Sequence, residues 1–446
     1  MLEILNSAPP SEFAAEPAMI YDMAVLINAV YQQKIEPTQA GHIPKRIVNK
    51  LRPQLKGQPH YTYDGNDKYT DMIFDLLVEM RILQLTKPPF SDMKPCLEPG
   101  PQLTAWSRLD LIEQVKQILK EWTHSRKITD LVGAEFDPMD SYSYYYIMEV
   151  RKGRQPLLNQ LHTCEPGKWY RVDSLLEELW EKEAGAMRHG SSSKKSRRGD
   201  KEAHLKWMKS DGQIYIGMLD STLRDLGIVA LGYEVAPTDE EHPNPTTFML
   251  SEIAATLFSA QEQSTQASVH SNNEQAGNQR YLIIQPSFEL LLLQPHLPTL
   301  YSVLPFTQVN QIGVASRLTL TKASLLRGMA AGYNIEQIIQ ALEERSQKEL
   351  PQNVVYTLRD WARQYKETRV SQVLLLEVSS EDMIAQLCAS PKLQGFGIRQ
   401  LTSFILAVNG DTDLRELRNT LEKEGIAPHL VGNFSNRSSS SSRNYY

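Results

Sequence analysis

The chain has 446 residues, 41% hydrophobic and 22% charged, with a formal net charge of −6. At roughly 100–200 residues per domain this length suggests two to four globular units, each able to bury its own core. The negative balance excludes a uniformly basic nucleic-acid binder, so any such binding must come from local patches.

Three cysteines, Cys96, Cys164 and Cys388, lie far apart in sequence and form no CxxC pair or zinc-type spacing. They read as reduced thiols of a reducing compartment. The opening "MLEILNSAPPSEFAAEP" lacks the basic and long apolar regions of a signal peptide. The longest apolar runs fall short of the ~20 residues needed to cross a bilayer. A cytoplasmic protein without membrane partners is expected.

The segment 1–125 reads as helices followed by a ribbon. In "PAMIYDMAVLINAVYQQ", Ile20, Met23, Ala24, Leu26, Ile27 and Val30 share one face at helical spacing. Thr38 is placed to cap a short helix at "TQAGH". Pro44 suits the start of another, "PKRIVNKLRPQL", buried through Ile47, Val48 and Leu51. "YTDMIFDLLVEMRI" forms a third helix, and "LQLTK" and "PQLTAWSRLD" flank turn-rich sequence. Three helices and a two-stranded ribbon outline a winged-helix-like domain. Its expected recognition helix carries Lys45, Arg46, Lys50 and Arg52, with Lys56 just beyond. Such charges suit phosphates, and an exposed helix suits a major groove. The bland reading is a solvated helix face, or a winged helix used for protein docking.

The segment 126–258 reads as a second winged-helix-like unit, interrupted by a basic loop at 183–204. "KWYRVDSLLEELWEK" places Trp169, Val172, Leu175, Leu176, Leu179 and Trp180 at helical spacing. "GMLDSTLRDLGIVALGYE" is a helix with Gly227 as C-cap, running into a strand. "PTTFMLSEIAATLF" returns as strand and helix. Lys194, Lys195, Arg197 and Arg198 give the basic loop the densest positive charge in the chain, suited to phosphates or simply a tolerated charged insertion. The tyrosines of "DSYSYYYIME" suit base stacking but more often half-bury in an element.

Residues 259–279 are polar and read as a linker, and 433–446 as a disordered tail. Between them, 280–432 alternates strands with capped helices. "YLIIQPS" and "FELLLLQP" form a strand pair punctuated by Pro286 and Ser287, and "SRLTLT" a further strand. Thr321 caps one helix, which Gly332 closes. Asn334 and Gln337 form the capping box of the next. Pro351 opens a helix bearing Trp361, and helices around Leu342 and Trp361 are expected to cover the strands. "QVLLLEV", "EDMIAQLCAS", "TSFILAVN" and "TDLRELRNTLEKEG" continue as strand, helix, strand and helix. The expected class is α+β: N-terminal winged-helix-like units, then a mixed α/β domain with a small helix-covered sheet.

Catalytic signatures are absent from the sequence. There is no GxxxxGK[ST] phosphate loop, GxGxxG, GxSxG or HExxH. The 10 histidines show no ligand spacing. "DEEH" at 239–242 superficially matches a helicase-motor signature, but lacks a preceding buried strand and any phosphate loop. No catalytic residue, metal or cofactor is expected.

"YLIIQPSFELLLLQP", then "SRLTLTKASLLRGMAAGYNIEQIIQALEERSQKELPQNVVYTLRDWARQY", then "LRNTLEKEGIAPHL" occur in an order that resembles the N-terminal domain of XPB-type DNA repair helicases. That helicase-associated domain also occurs in bacterial proteins without a motor. The resemblance covers about 280–430 and implies engagement of DNA beside a helicase. No motor is present, and the family has no catalytic residues in this domain to carry over. The expectation is a non-enzymatic, DNA-binding helicase-associated protein acting in DNA repair or processing. Single- or double-stranded DNA would be bound without sequence preference through Lys45, Arg46, Lys50 and Arg52 and the 194–198 loop. The alternative is an adaptor docking a separate helicase or nuclease. A nuclease with a hidden site ranks last.

Overall fold

After Pro17 the chain runs through apolar residues on every side, and it folds as the helix Ala18–Gln32, in which every residue from Ala18 to Val30 is buried. One apolar face was expected from the sequence. A helix apolar all round belongs inside a core, and this one lies at the centre of one. The computed structural model describes residues 2–57, 69–86, 94–125, 130, 150–187, 201–238, 243–263, 280–366, 373–410, 412–429 and 431. The basic residues Lys194, Lys195, Arg197 and Arg198, the tyrosine cluster, the 239–242 run, most of the polar linker and the tail at 433–446 lie outside the described residues.

The chain divides into two compact units, Met1–Tyr365 and Lys366–Tyr446. The compositional boundaries expected at 125/126, 258/259 and 279/280 fall inside the first. Its core is one continuous apolar cluster that runs from Met19 to Leu358. Two polar side chains of the central helix help to join it. Asn28 donates to the carbonyls of Leu304 (2.8 Å) and Thr307 (2.9 Å), and Gln32 donates to Thr307 (2.7 Å). These bonds satisfy backbone carbonyls that burial would otherwise leave unpaired.

Among the described residues the first unit holds three antiparallel sheets. The first has the strand order Ser11–Phe13, Val229–Tyr233, Thr247–Leu250, Trp169–Arg171. Leu231 pairs with Phe248, and Trp169 with Met249. The expected helix containing Trp169 therefore begins only at Val172, because Trp169–Arg171 is taken into the sheet. The second sheet is ordered Leu282–Ile284, Glu289–Leu292, Ser316–Thr319, Gln308–Gln311. "FELLLL" thus becomes an interior strand between two neighbours. Phe288, at φ 68°, makes the turn, and its ring lies 5.4 Å from that of Trp361. Asn353 donates to the Pro286 carbonyl at 2.9 Å, so the Trp361-bearing helix Gln352–Arg363 does pack against the hairpin. The capping box of Ile335–Arg345 is present, with Asn334 accepting from the Gln337 amide and Gln337 reaching back to the Asn334 amide.

The third sheet is the ribbon Leu83–Leu85 with Leu97–Pro99, which follows the helices Ala18–Gln32, Lys45–Leu51 and Tyr69–Glu79. Two expectations change here. "TQAGH" is a turn rather than a helix: Thr38 and His42 exchange hydrogen bonds, and Gly41 takes φ 85°. The helix after Pro44 stops at Leu51 and tightens into a 3-10 turn, Arg52–Gln54, because Pro53 lacks the amide an α-helix needs.

The second unit is a three-stranded antiparallel sheet, ordered Val373–Glu377, Ile405–Asn409, Arg399–Thr402. Its core joins Leu406 and Val408 to Ile384, Leu387 and Leu393 and to Leu417 and Leu421 of the last helix, Leu414–Lys423.

Candidate nucleic-acid interface

The helix Lys45–Leu51 buries Ile47 and Leu51, which turns Lys45, Arg46 and Lys50 outward. Arg46 and Lys50 are four residues apart and so share one side of the helix. That side lies against the chain leaving the central helix, where Lys50 donates to Gln33 Oε1 at 3.2 Å. The next three residues lie outside any helix or strand around a buried Ile35, whose carbonyl accepts from the Leu97 amide of the ribbon at 2.9 Å. With Ile35 inward, Lys34 and Glu36 face outward, and Lys34 Nζ sits 2.6 Å from Glu36 Oε1. The charges of Lys94 and Arg46 also act on Glu36. Lys34, Arg46, Lys50 and Lys94 therefore form one exposed basic face with Glu36 among them, and Lys45 is exposed next to Arg46 on the same helix.

Two other basic residues near this helix turn inward. Arg52 donates to the Gly57 carbonyl at 2.7 Å and stacks over the Tyr69 ring, 5.5 Å from its centroid. Lys56 pairs with Glu16 and lies over the Tyr21 ring. Beneath them, buried Asp22 accepts from the amides of Lys56 and Gly57, each at 2.8 Å, and from the Tyr69 hydroxyl at 2.6 Å. Burial raises the Asp22 carboxyl to about 6, against the lowering effect of these hydrogen bonds. Asp22 thus fixes the path of the chain just after the basic helix. Gly57 must be glycine, because a Cβ there would overlap the Tyr69 hydroxyl and ring.

The helix immediately before the ribbon is Tyr69–Glu79, as the sequence order indicated; in a winged-helix order the recognition position falls to it and not to Lys45–Leu51, to which the sequence reading gave that role. Tyr69–Glu79 buries Tyr69, Thr70, Met72, Ile73, Phe74, Leu76 and Leu77, and its charged residues are Asp71, Asp75 and Glu79. Its side chains are spent on the core, and its charge has the wrong sign for a groove of DNA. A second acidic surface lies elsewhere on the first unit, where Glu3, Asp173, Glu177, Glu178 and Glu181 line a shallow groove. There the Lys182 ammonium pulls the Glu178 carboxyl down to about 2.

Residues 282–402 match the family model of a helicase conserved C-terminal domain.

No curated protein matches the chain. The matched segment begins at the first strand of the second sheet and ends in the second unit. It points to a helicase-related role. The basic face lies outside it in sequence but is tied to it in space. Arg327, on the matched helix Lys322–Ala330, donates through Nε to Gln32 Oε1 at 2.9 Å, one residue before Gln33. Among the described residues no group of three or more His, Cys, Asp or Glu is placed to hold a metal, and no helix is long and apolar enough to cross a membrane.

Sequence reading missed Lys34 and Lys94. Each is a lone lysine in its stretch, and it is the pairing of Ile35 with Leu97 that brings the two stretches together. Arg52 was missed in the opposite sense, because its inward turn depends on Gly57 and Tyr69, which a charge pattern does not reveal.

Proposed function

We propose that this chain is a non-catalytic, helicase-associated protein that binds DNA through the backbone phosphates and acts in DNA repair or processing. The observation that carries the reading is the basic face of Lys34, Arg46, Lys50 and Lys94, with Lys45 beside it, built into the same core as a segment that matches a helicase domain. The three helices and ribbon follow the winged-helix order, which supports that reading of the N-terminal region. In a helix-turn-helix pair the second helix reads bases, while the first crosses the backbone. Lys45–Leu51 stands in the first position, and the second, Tyr69–Glu79, is acidic and buried. That arrangement supports phosphate contact without base readout, hence no sequence preference. The order of motifs over about 280–430 further supports kinship with the XPB N-terminal domain.

The test is a salt series by fluorescence anisotropy with labelled duplex and single-stranded DNA. Wild type is expected to bind at low salt and weaken steeply as salt rises. A Lys45→Gln, Arg46→Gln, Lys50→Gln variant should bind duplex more weakly, with a log–log slope shallower by roughly 2.7, at about 0.9 per phosphate contact. Absence of affinity for both DNAs at low salt would refute the reading.

A second reading, docking of a separate helicase or nuclease, is favoured by one feature of the second unit. Leu375 and Leu401, on its edge strands, and Phe404, in the turn between Arg399–Thr402 and the central strand Ile405–Asn409, are 54%, 50% and 50% exposed. Capture of a helicase on the isolated full-length chain, abolished by Leu375→Glu with DNA affinity unchanged, would support it.

A further inference from the structure

We infer that Glu36 occupies a seat for a DNA backbone phosphate, framed by Lys34, Arg46 and Lys94. This deepens the DNA-binding reading above and rests on it.

The seat is built on a fixed piece of backbone. Ile35 is fully buried, and its carbonyl holds the Leu97 amide at 2.9 Å, so residues 34–36 cannot drift from the ribbon. With Ile35 buried, Lys34 and Glu36 stay on the outer side, 54% and 36% exposed and paired at 2.6 Å. Arg46 comes from the first turn of the basic helix, and Lys94 from the chain leading into the strand Leu97–Pro99. Lys34 thus pairs directly with Glu36, and Arg46 and Lys94, from two other stretches, lie near enough for their charges to act on the same carboxylate. The Glu36 carboxyl is held below its ordinary value, first by the Lys34 ammonium and then by Lys94 and Arg46.

A carboxylate and a phosphodiester each present paired oxygens that share a single negative charge. The cations that converge on Glu36 would therefore serve a phosphate equally. One carboxylate does not neutralise three cations, so the seat keeps a net positive charge that attracts a polyanion. Glu36 is 36% exposed at the end of a flexible side chain, and a surface pair of this kind is weak. It can swing aside when a phosphate arrives. In the free protein it relieves repulsion among the cations; in the complex it opposes binding. Glu36 is thus an internal counter-ion that holds down the affinity of the face.

The experiment titrates one labelled duplex with wild type, Glu36→Gln, Lys94→Gln and a control, Glu177→Gln, in the acidic groove. Glu36→Gln is expected to bind about three- to tenfold more tightly at low salt, with a log–log salt slope steeper by about 1. Lys94→Gln should bind more weakly by a similar factor, and Glu177→Gln should match wild type. If wild type binds but Glu36→Gln is no tighter, or Lys94→Gln binds like wild type, the seat is wrong. An equal gain from Glu177→Gln would reduce the effect to net charge and also overturn it. No affinity in either wild type or Glu36→Gln would remove the DNA-binding reading together with the seat.

Discussion

Replacing Asp130 with alanine should strip the first unit of its most buried ion pair. Asp130 and Arg154 are 0% and 1% exposed, and Arg154 Nε donates to Asp130 Oδ2 at 3.0 Å. The same carboxylate accepts from Trp122 Nε1 at 2.9 Å and from the Thr222 hydroxyl at 2.8 Å. Arg154 in turn donates to the carbonyls of Trp122 and Ser125 and lies over the Trp122 ring. Removing the carboxylate takes the Asp130 counter-charge away from a buried guanidinium, at a cost of about 3–5 kcal/mol. Arg154→Met leaves the converse, a buried carboxylate without its cation, at a similar cost. The two losses share one interaction, so the double variant should be less destabilised than their sum by about 2 kcal/mol. Urea unfolding followed by fluorescence of the buried Trp106, Trp122 and Trp207 measures this. With a slope of ~3 kcal/mol/M, a loss of about 4 kcal/mol moves the midpoint by about 1.3 M. Additive single losses, or Asp130→Ala within about 0.5 kcal/mol of wild type, would refute the reasoning.

Two further outcomes concern the ground beneath the basic face and the C-terminal helices. Asp22 has its folded carboxyl raised to about 6 from an ordinary 3.8, so the folded state binds the extra proton first. Its contribution to stability therefore grows as pH falls from about 7 to 4, and wild type should gain on Asp22→Asn by up to about 3 kcal/mol across that window. A stability difference that is flat with pH would show that Asp22 does not titrate there. Asn334→Ala removes the cap of the helix Ile335–Arg345 and should cost about 1 kcal/mol in a thermal melt, recovered largely by Asn334→Ser. Equal melting of Asn334→Ala and wild type would deny the cap its role.

The C-terminal strands and helices were legible because local chemistry sets them. Thr321 and Asn334 make their capping bonds within three residues, Gly332 adopts φ 100° at a helix end, and the apolar runs at 282–284 and 289–292 are strands. The N-terminal region was legible in its order of elements but not in their burial. Whether a helix shows one apolar face or is wrapped on all sides depends on what packs against it, as at Ala18–Gln32. The strand at Trp169–Arg171 was missed for a related reason. Its three residues continue the helical spacing, and only pairing with Thr247–Leu250 draws them into a sheet.

By itself, the sequence determined the mixed α and β content, the caps and turns, the local density of Lys45, Arg46 and Lys50, and the segment at 282–402 that matches a helicase domain. Caps, propensities and charge runs act over a few residues and are written in adjacent letters. The tertiary structure alone decided which cations stay at the surface. Arg52 is consumed by Gly57 and Tyr69, while Lys34 and Lys94 are delivered to the face by a hydrogen bond between Ile35 and Leu97. It also decided that Glu36 lies among the cations and that the helix before the ribbon is largely buried. These outcomes rest on contacts between residues dozens of positions apart, where burial and backbone pairing, rather than local preference, choose the arrangement.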